Sequence, residues 1–498
     1  MPLDIDWAMK VGRLIKEALT KASVLDLQRH QRINLFLLYF RITVSILGFM
    51  KERLWRIFYY WRHYGSQATV RHVRRKLIEF ARKQPLEIHS VANATHGHAH
   101  AHASVMSLIN QRFINSTPLM TCVKEFIDGR RVSIVTDSIS QGSLFGGVGT
   151  ALIFGALLAN RLNANLRIIT RTESPPAENV HKILALNGIE LKKEVQFVFA
   201  HIFDNKTHID FSTNDLFVTT SWWTTASTLA SVPASAILYL LQEDERMFYP
   251  YGDDHVRCEA VMRNTDIRFL INTHLLFDHL ASNGFDHLRT QALWFEPAFP
   301  VALYHPRARQ KTEKKKFFFY ARPHNPRNLF YLGLEVIEKA IVLGVLDLNE
   351  WEILLVGKDI PHLMFAGHHI PTRVENLSWN EYLECVGQID LGLSLMYTPH
   401  PSYPPFDLAS SGAVVITNRF ENKNDLQAYS KSILCADLNC MALVAALKLG
   451  VERVTAGLSK DPHAQGTPAQ DPSCLSKSWP TAFAQALDHC AEHFHVSH

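Results

Sequence analysis

Arg322 and Arg327, in the run Tyr-Ala-Arg-Pro-His-Asn-Pro-Arg-Asn, follow an apolar stretch where a strand should end. A second apolar stretch ends at Gly357-Lys358. A third runs into Ser-Leu-Met-Tyr-Thr-Pro-His-Pro-Ser-Tyr-Pro-Pro-Phe-Asp, residues 394–407. In a parallel sheet the carboxyl ends of strands share one edge, and α/β proteins bind ligands there. Guanidinium groups match phosphate oxygens two at a time, while an ammonium acts as a point charge. The spacing therefore predicts that Arg322, Lys358 and a helix dipole surround a diphosphate. Prolines 399, 401, 404 and 405 fix φ and stiffen the third loop, which lowers the entropic cost of binding. A short helix is expected to open near Asp407. Its free N–H groups would face an anion, and the Asp407 carboxylate would accept hydrogen bonds from ribose hydroxyls. The competing reading of this stretch is a proline-rich surface turn.

A second group of candidates is the glycine cluster Gly142 to Thr150, which contains Gly146, Gly147 and Gly149. It lies after one expected strand (132–136) and before an expected helix (149–162). Glycines there let backbone approach a sugar or phosphate, and close helix–strand packing is the alternative. With Glu173 after the next strand, the region has a superficial likeness to a dinucleotide fingerprint. The spacing argues against it, since about nine residues part the strand from Gly146 where that fingerprint needs a tight turn. No acidic pair of the metal-holding kind accompanies these loops. Leaving-group charge would then be neutralised by protein cations and amides, with no metal and no separate cofactor. The alternating histidines 96, 98, 100 and 102 have no acidic or cysteine partner nearby and read as a solvated loop.

The elements that must position these residues alternate strand and helix. Strands are expected over 132–136, 166–170, 195–201, 215–220, 236–242 and 268–272, then over 317–321, 351–356, 390–396, 413–417 and 432–436. Helices fall at 149–162, 329–342, 379–387 and 440–449. Such alternation indicates parallel sheets with helices on both faces. The fold class is α/β: two doubly wound, Rossmann-like domains facing across a cleft, plus a helical N-terminal extension. The divisions are 1–125 (basic helical extension), 126–305 (N-terminal domain), 306–455 (C-terminal domain) and 456–498 (loose loop and last helix). The charged run 307–316 reads as the linker.

The 498 residues, 47% hydrophobic and 20% charged, suit a soluble protein of two or three domains. The net charge of +4 is uneven, because residues 1–90 hold about 17 Lys and Arg against about 7 Asp and Glu. Within them, 33–50 is apolar but broken by Arg41, and 51–62 mixes aromatics with arginines. Contact with an anionic inner-membrane surface through 33–62 and a pair of basic core-packing helices both fit this pattern. Nucleic acid is not expected, as no recognised motif accompanies the charge. Seven scattered cysteines without a CxxC pair point to a reducing, cytoplasmic setting, with peripheral membrane attachment as the variant of that reading.

The chain resembles retaining GT-B glycosyltransferases of the glycogen-synthase-like group. The resemblance rests on the basic residues after a first strand and on an acidic residue in a short helix followed by Gly-x-Val-Val. Asp407 stands at the second place of that group's glutamate pair, and the first place falls on Pro399. Tyr-Ala-Arg-Pro, the proline loop, Gly146-Gly147 and Gln242-Glu-Asp-Glu-x-x-Phe-Tyr-Pro are similar to rhamnosyltransferases of the WsaF kind, over roughly residues 130–450.

That resemblance implies hexosyl transfer, with rhamnose from dTDP-L-rhamnose going to a growing glycan or lipid-linked acceptor. It implies a donor site lined by Arg322, Arg327, Gly357, Lys358, Tyr397, His400, Tyr403 and Asp407. Backbone from Pro399, Pro401 and Ser402 would hold the diphosphate. Gly146, Gly147 and Thr150 would border the cleft, with Gln242, Glu243 and Asp244 at a neighbouring strand end or in an exposed acidic turn. Trp222 and Trp223 would stack on acceptor sugar, or pack in the core in at least one case. Retention lets the departing diphosphate take the acceptor proton, whereas inversion needs Glu243, Asp244 or Asp137 as base. A sugar-nucleotide epimerase or phosphorylase, or a non-catalytic assembly scaffold, would share the same two-domain outline.

Overall fold

The computed structural model describes residues 104–125, 129–140, 147–204, 206–299, 314–457 and 478–493. The basic segment with its 33–62 stretch, the histidine tract, Gly146 and most of the expected 307–316 linker lie outside the described residues.

Two wholly parallel sheets organise the rest. The first, in spatial order, is Val195–Phe199, Asn165–Thr170, Arg131–Thr136, Asp215–Thr219, Ile237–Leu241, Arg268–Asn272 and Ala292–Phe295. The second is Thr372–Glu375, Trp351–Gly357, Lys315–Ala321, Leu391–Leu393, Val414–Asn418 and Ile433–Ala436. In each, the first strand in sequence lies inside the sheet and the order reverses beside it. Doubly wound folds bind their ligands at such a reversal. The expected fold class holds for both domains. A short parallel pair, Thr121–Val123 with Ile209–Phe211, flanks the first sheet.

Both sheets read as continuous apolar runs because both faces are covered. All six residues of Arg131–Thr136 are buried, as are all five of Val414–Asn418. Helix Gly149–Leu162 packs so closely on the first sheet that a Cβ at Gly155 would meet Ile134 Cδ1 at 2.4 Å. The C-terminal helices Trp479–Ala482 and Ala484–His493 return to this domain. Phe483 stacks on Trp479 and lies 5.0 Å from Phe154. The single last helix expected there is broken at Phe483, although Ser478 caps its start by accepting from Thr481 N.

Several boundaries differ for physical reasons. Lys315 and Lys316 belong to the strand and not to a linker: they pair with Trp351 and Glu352, and Lys316 N donates to Asp390 Oδ2 at 2.7 Å. Helix Cys440–Thr455 runs past the expected 449, because Val451 and Val454 continue its buried face. The edge strands Thr372–Glu375 and Ala292–Phe295 were not expected, being too short and mixed in polarity to stand out.

Gly357 carries a construction constraint of its own. A Cβ there would lie 1.8 Å from the Ala321 carbonyl oxygen, so the pairing of these two strands requires glycine. Gly357→Ala should destabilise the protein by at least about 2 kcal/mol, read from the shift of the denaturant midpoint. Unchanged stability would mean that glycine serves ligand approach alone.

Candidate active site

The carboxyl edges of the two sheets meet. Tyr403, the first residue of helix Tyr403–Ser410, reaches from the second domain into the first. Its hydroxyl lies 3.0 Å from Thr150 Oγ1 and accepts from Asn272 Nδ2 at 2.9 Å. Burial raises the phenol to about 12, so it stays a neutral hydroxyl. Gln242 Nε2 donates to the Gly147 carbonyl at 2.7 Å. The expected cleft residues Gly147, Thr150 and Gln242 are thus brought together with Tyr403.

Beside this contact lies a charged layer. Glu243, at the end of strand Ile237–Leu241, accepts from Arg327 Nη1 of the second domain at 3.0 Å. The Arg327 guanidinium also covers the Phe248 ring, 4.2 Å from its centroid. Burial pushes the Glu243 carboxyl up to about 7, against the attraction of Arg327 and Lys423. Lys423 is fully buried, and its Nζ donates to the Met396 carbonyl at 3.0 Å. Desolvation brings that ammonium down to about 8, with Glu243 opposing the shift. His400 is buried too. Its Nδ1 accepts from Ser402 N at 3.0 Å, which leaves the proton on Nε2, and Nε2 has no partner among the described residues. Burial, then Lys423 and Arg327, lower the imidazole to about 3, so it is neutral near pH 7.

The proline loop differs from the expectation in three ways. It is no surface turn, since residues 398–402 are all buried. The helix opens at Tyr403 and not near Asp407, which lies in its second turn, 4% exposed, accepting from Tyr382 OH at 2.8 Å. The expected row of free amides is also much reduced. Pro404 and Pro405 have no N–H, and Ser402 N is already taken by His400. Anion capture therefore falls on side chains. Ser402 holds φ +71°, and Thr273, next to the Asn272 that bonds Tyr403, holds φ +75°. Non-glycine residues bear such strain where the surroundings over-determine them, often at functional sites.

The other expected residues divide into two groups. Arg322 follows the first strand of the second sheet, half-buried, with Nη1 3.4 Å from the Tyr320 hydroxyl. Lys358 is exposed at the next strand end, and Pro399 and Pro401 lie inside the buried loop. Tyr397 is 50% exposed with its ring against Phe420. Asp244 is turned into its own domain: burial works to raise its carboxyl, but bonds from Arg246 and His279 hold it down to about 2. The exposed acidic turn is excluded, because Glu243, Asp244 and Glu245 are all buried. Trp222 packs in the core and donates to Tyr249 OH at 2.9 Å, while Trp223 donates to Asp137 at 2.9 Å. Lys423, Asn272 and Asn418 were missed. Asn418 Oδ1 and Nδ2 bond both the N–H and the carbonyl of Met396. The available signal was an asparagine ending an otherwise apolar strand, seen at both 272 and 418.

Two doubly wound domains meeting at their carboxyl edges, with cations gathered on the second, form the GT-B arrangement. Models of the WsaF N-terminal domain and the WsaF C-terminal domain match residues 131–274 and 315–448, together more than half of the chain. The matches begin on the first residue of each sheet's first strand in sequence. The chain belongs to the WsaF family of GT-B glycosyltransferases. The O-antigen biosynthesis protein RfbC of Myxococcus xanthus is 27% identical over 236 residues, 47% of this chain. The chain spans 18% of that relative's length. Among solved structures, Alr3699/HepE of Anabaena in complex with UDP and glucose has a TM-score of 0.49 at 11% identity, over 72% of this chain and 99% of that one. Sucrose-phosphate synthase of Thermosynechococcus elongatus has a TM-score of 0.46 at 12% identity, over 74% of this chain and all of that one.

Beneath the charged layer, Glu245 accepts from Trp222 N at 2.8 Å, and burial raises its carboxyl to about 8. Such a group binds more protons folded than unfolded between its ordinary value of 4.5 and about 8, so its contribution to stability falls as pH rises through that window. Glu245→Gln should raise Tm by about 2–4 °C at pH 8.5 and leave it nearly unchanged at pH 5, measured by scanning calorimetry. An equal shift at both pH values would contradict the buried-acid assignment.

Proposed function

We propose that this protein transfers a hexosyl group, rhamnose from dTDP-L-rhamnose, onto a glycan or lipid-linked acceptor during O-antigen or related surface-polysaccharide assembly. The observation that carries the reading is the coincidence of the two WsaF domain matches with two sheets whose carboxyl edges meet at a cationic layer. The donor's diphosphate lies along the second domain's edge, where Arg322, Lys358 and Arg327 are available to it. Tyr397 borders the nucleotide, and Asp407 serves the ribose. The acceptor enters from the Gly147, Thr150 and Gln242 side.

Breaking the anomeric C–O bond leaves negative charge on the diphosphate, and stabilising that charge lowers the barrier. Side-chain cations perform this task, with no divalent metal and no separate cofactor. If the anomeric configuration is retained, a departing phosphate oxygen takes the acceptor proton while the acceptor oxygen attacks from the same face. If it is inverted, Asp137 or Glu243 takes the proton, since Asp244 is committed to Arg246 and His279. The enzyme works in the cytoplasm, with residues 33–62 contacting the inner-membrane surface.

Nucleotide release should be fastest with dTDP-L-rhamnose in a donor panel. Arg322→Ala or Lys358→Ala should each lower turnover about a hundredfold, the scale of losing one anion-stabilising contact. Near-normal kinetics in both variants would remove this diphosphate site. Turnover should survive an excess of EDTA, and its abolition with recovery on adding magnesium would contradict side-chain neutralisation.

A further inference from the structure

Three groups of the second domain lie within electrostatic reach of one another: the part-exposed guanidinium of Arg327, the buried ammonium of Lys423, and the buried His400, whose Nε2–H has no acceptor among the described residues. None belongs to the opening helix amides, most of which are absent or engaged. Among the described residues the carboxylate bonded to this cluster is that of Glu243, from the opposite domain, with Glu245 acting on Arg327 from farther off. Its Oε2 is 3.0 Å from Arg327, and it also acts electrostatically on Lys423. Glu243 therefore occupies the position of an anion in a site built by the other half of the molecule. Its own chain neighbours do not hold the carboxylate strongly: the bond its Oε1 receives comes from the adjacent Asp244 N–H at 3.1 Å.

We propose that Arg327, Lys423 and His400 form a diphosphate-binding site that the Glu243 carboxylate fills in the ligand-free protein and vacates when a nucleoside diphosphate enters. This rests on the nucleotide-sugar reading and adds residues and a sequence of events to it. The incoming diphosphate replaces one carboxylate with a group of higher charge and more acceptor oxygens, and His400 Nε2–H gains the acceptor it lacks. Breaking the Glu243–Arg327 pair also removes one link between the domains, while the bonds of Tyr403 to Thr150 and Asn272 remain.

Displacement has a protonic signature. The groups facing Glu243 are Arg327 and Lys423 from the second domain and Asp244 and Glu245 from its own. Moved off its cations and beside a diphosphate, the carboxyl takes up a proton near neutral pH. Lys423 gains proton affinity from the same anion. Binding is thus accompanied by proton uptake, and the freed, protonated Glu243 is left near the leaving group.

The test is calorimetry of the full chain with dTDP, UDP and inorganic pyrophosphate, each in two buffers of different ionisation enthalpy at pH 7.5. Glu243→Gln should bind all three about tenfold more tightly, because the competing anion is gone, and should take up fewer protons. Lys423→Met should bind about tenfold more weakly. His400→Gln, which keeps a side-chain donor, should bind more tightly than His400→Ala. Unchanged affinity and proton uptake in Glu243→Gln and Lys423→Met, with loss of dTDP binding in Arg322→Ala, would overturn this proposal and leave the nucleotide-sugar reading standing. Pyrophosphate binding that follows these variants, with no nucleoside diphosphate bound, would uphold the anion site and end the nucleotide-sugar reading.

Discussion

Opposite charges from two domains share a junction from which water is nearly excluded, and the layout of the site follows from how they are balanced. A unit-charge pair near contact gains about 4 kcal/mol at an effective dielectric of 20, while removing each ion from water costs several kcal/mol. For Glu243 and Arg327 the loss of hydration outweighs the attraction. Burial raises the carboxyl to about 7 and lowers the guanidinium even though they are 3.0 Å apart. Lys423 is lowered in the same way. A junction whose charges are held against their desolvation responds to a change in local charge, which suits a cleft that must admit an anionic substrate.

Around that junction the backbone is held in one arrangement. Asn418 and Lys423 together fix the Met396 peptide from which the proline loop departs. His400 fixes Ser402, and Tyr403 is gripped by Thr150 and Asn272 of the first domain. Four prolines in this stretch remove most of the remaining freedom and, with it, backbone donors. Rigidity has thus been achieved at the expense of amide-based anion binding. The cationic side chains restore that capacity, and they are placed by a loop that is itself held by these hydrogen bonds.

The strand–helix alternation was legible in the sequence because buried parallel strands must be apolar on both faces. Helix Gly149–Leu162 matches its expected ends, and strand Arg268–Asn272 does likewise. The family was legible in the loops, where Tyr-Ala-Arg-Pro and the proline run recur as a pattern. The partners of each charge were not. Asp244 looked like its neighbour Glu243, yet one faces Arg246 and His279 within its domain and the other crosses to Arg327. Lys423 sits in the polar run Glu-Asn-Lys-Asn, for which no role was expected from sequence, and is fully buried. Such differences depend on distant partners, 84 positions apart for Glu243 and Arg327, which no local pattern contains. The opening of the short helix was misjudged by one turn for a simpler reason: Pro404 and Pro405 fit the first turn of a helix as well as they fit a loop.

The most direct measurement is a crystal structure of the full chain with dTDP bound. The account predicts a diphosphate on the carboxyl edge of the second sheet, contacted by Arg322, Lys358 and Arg327, with density continuing toward Lys423 and His400. Nucleotide bound at the opposite sheet edge, or an edge left empty at saturating dTDP, would contradict it.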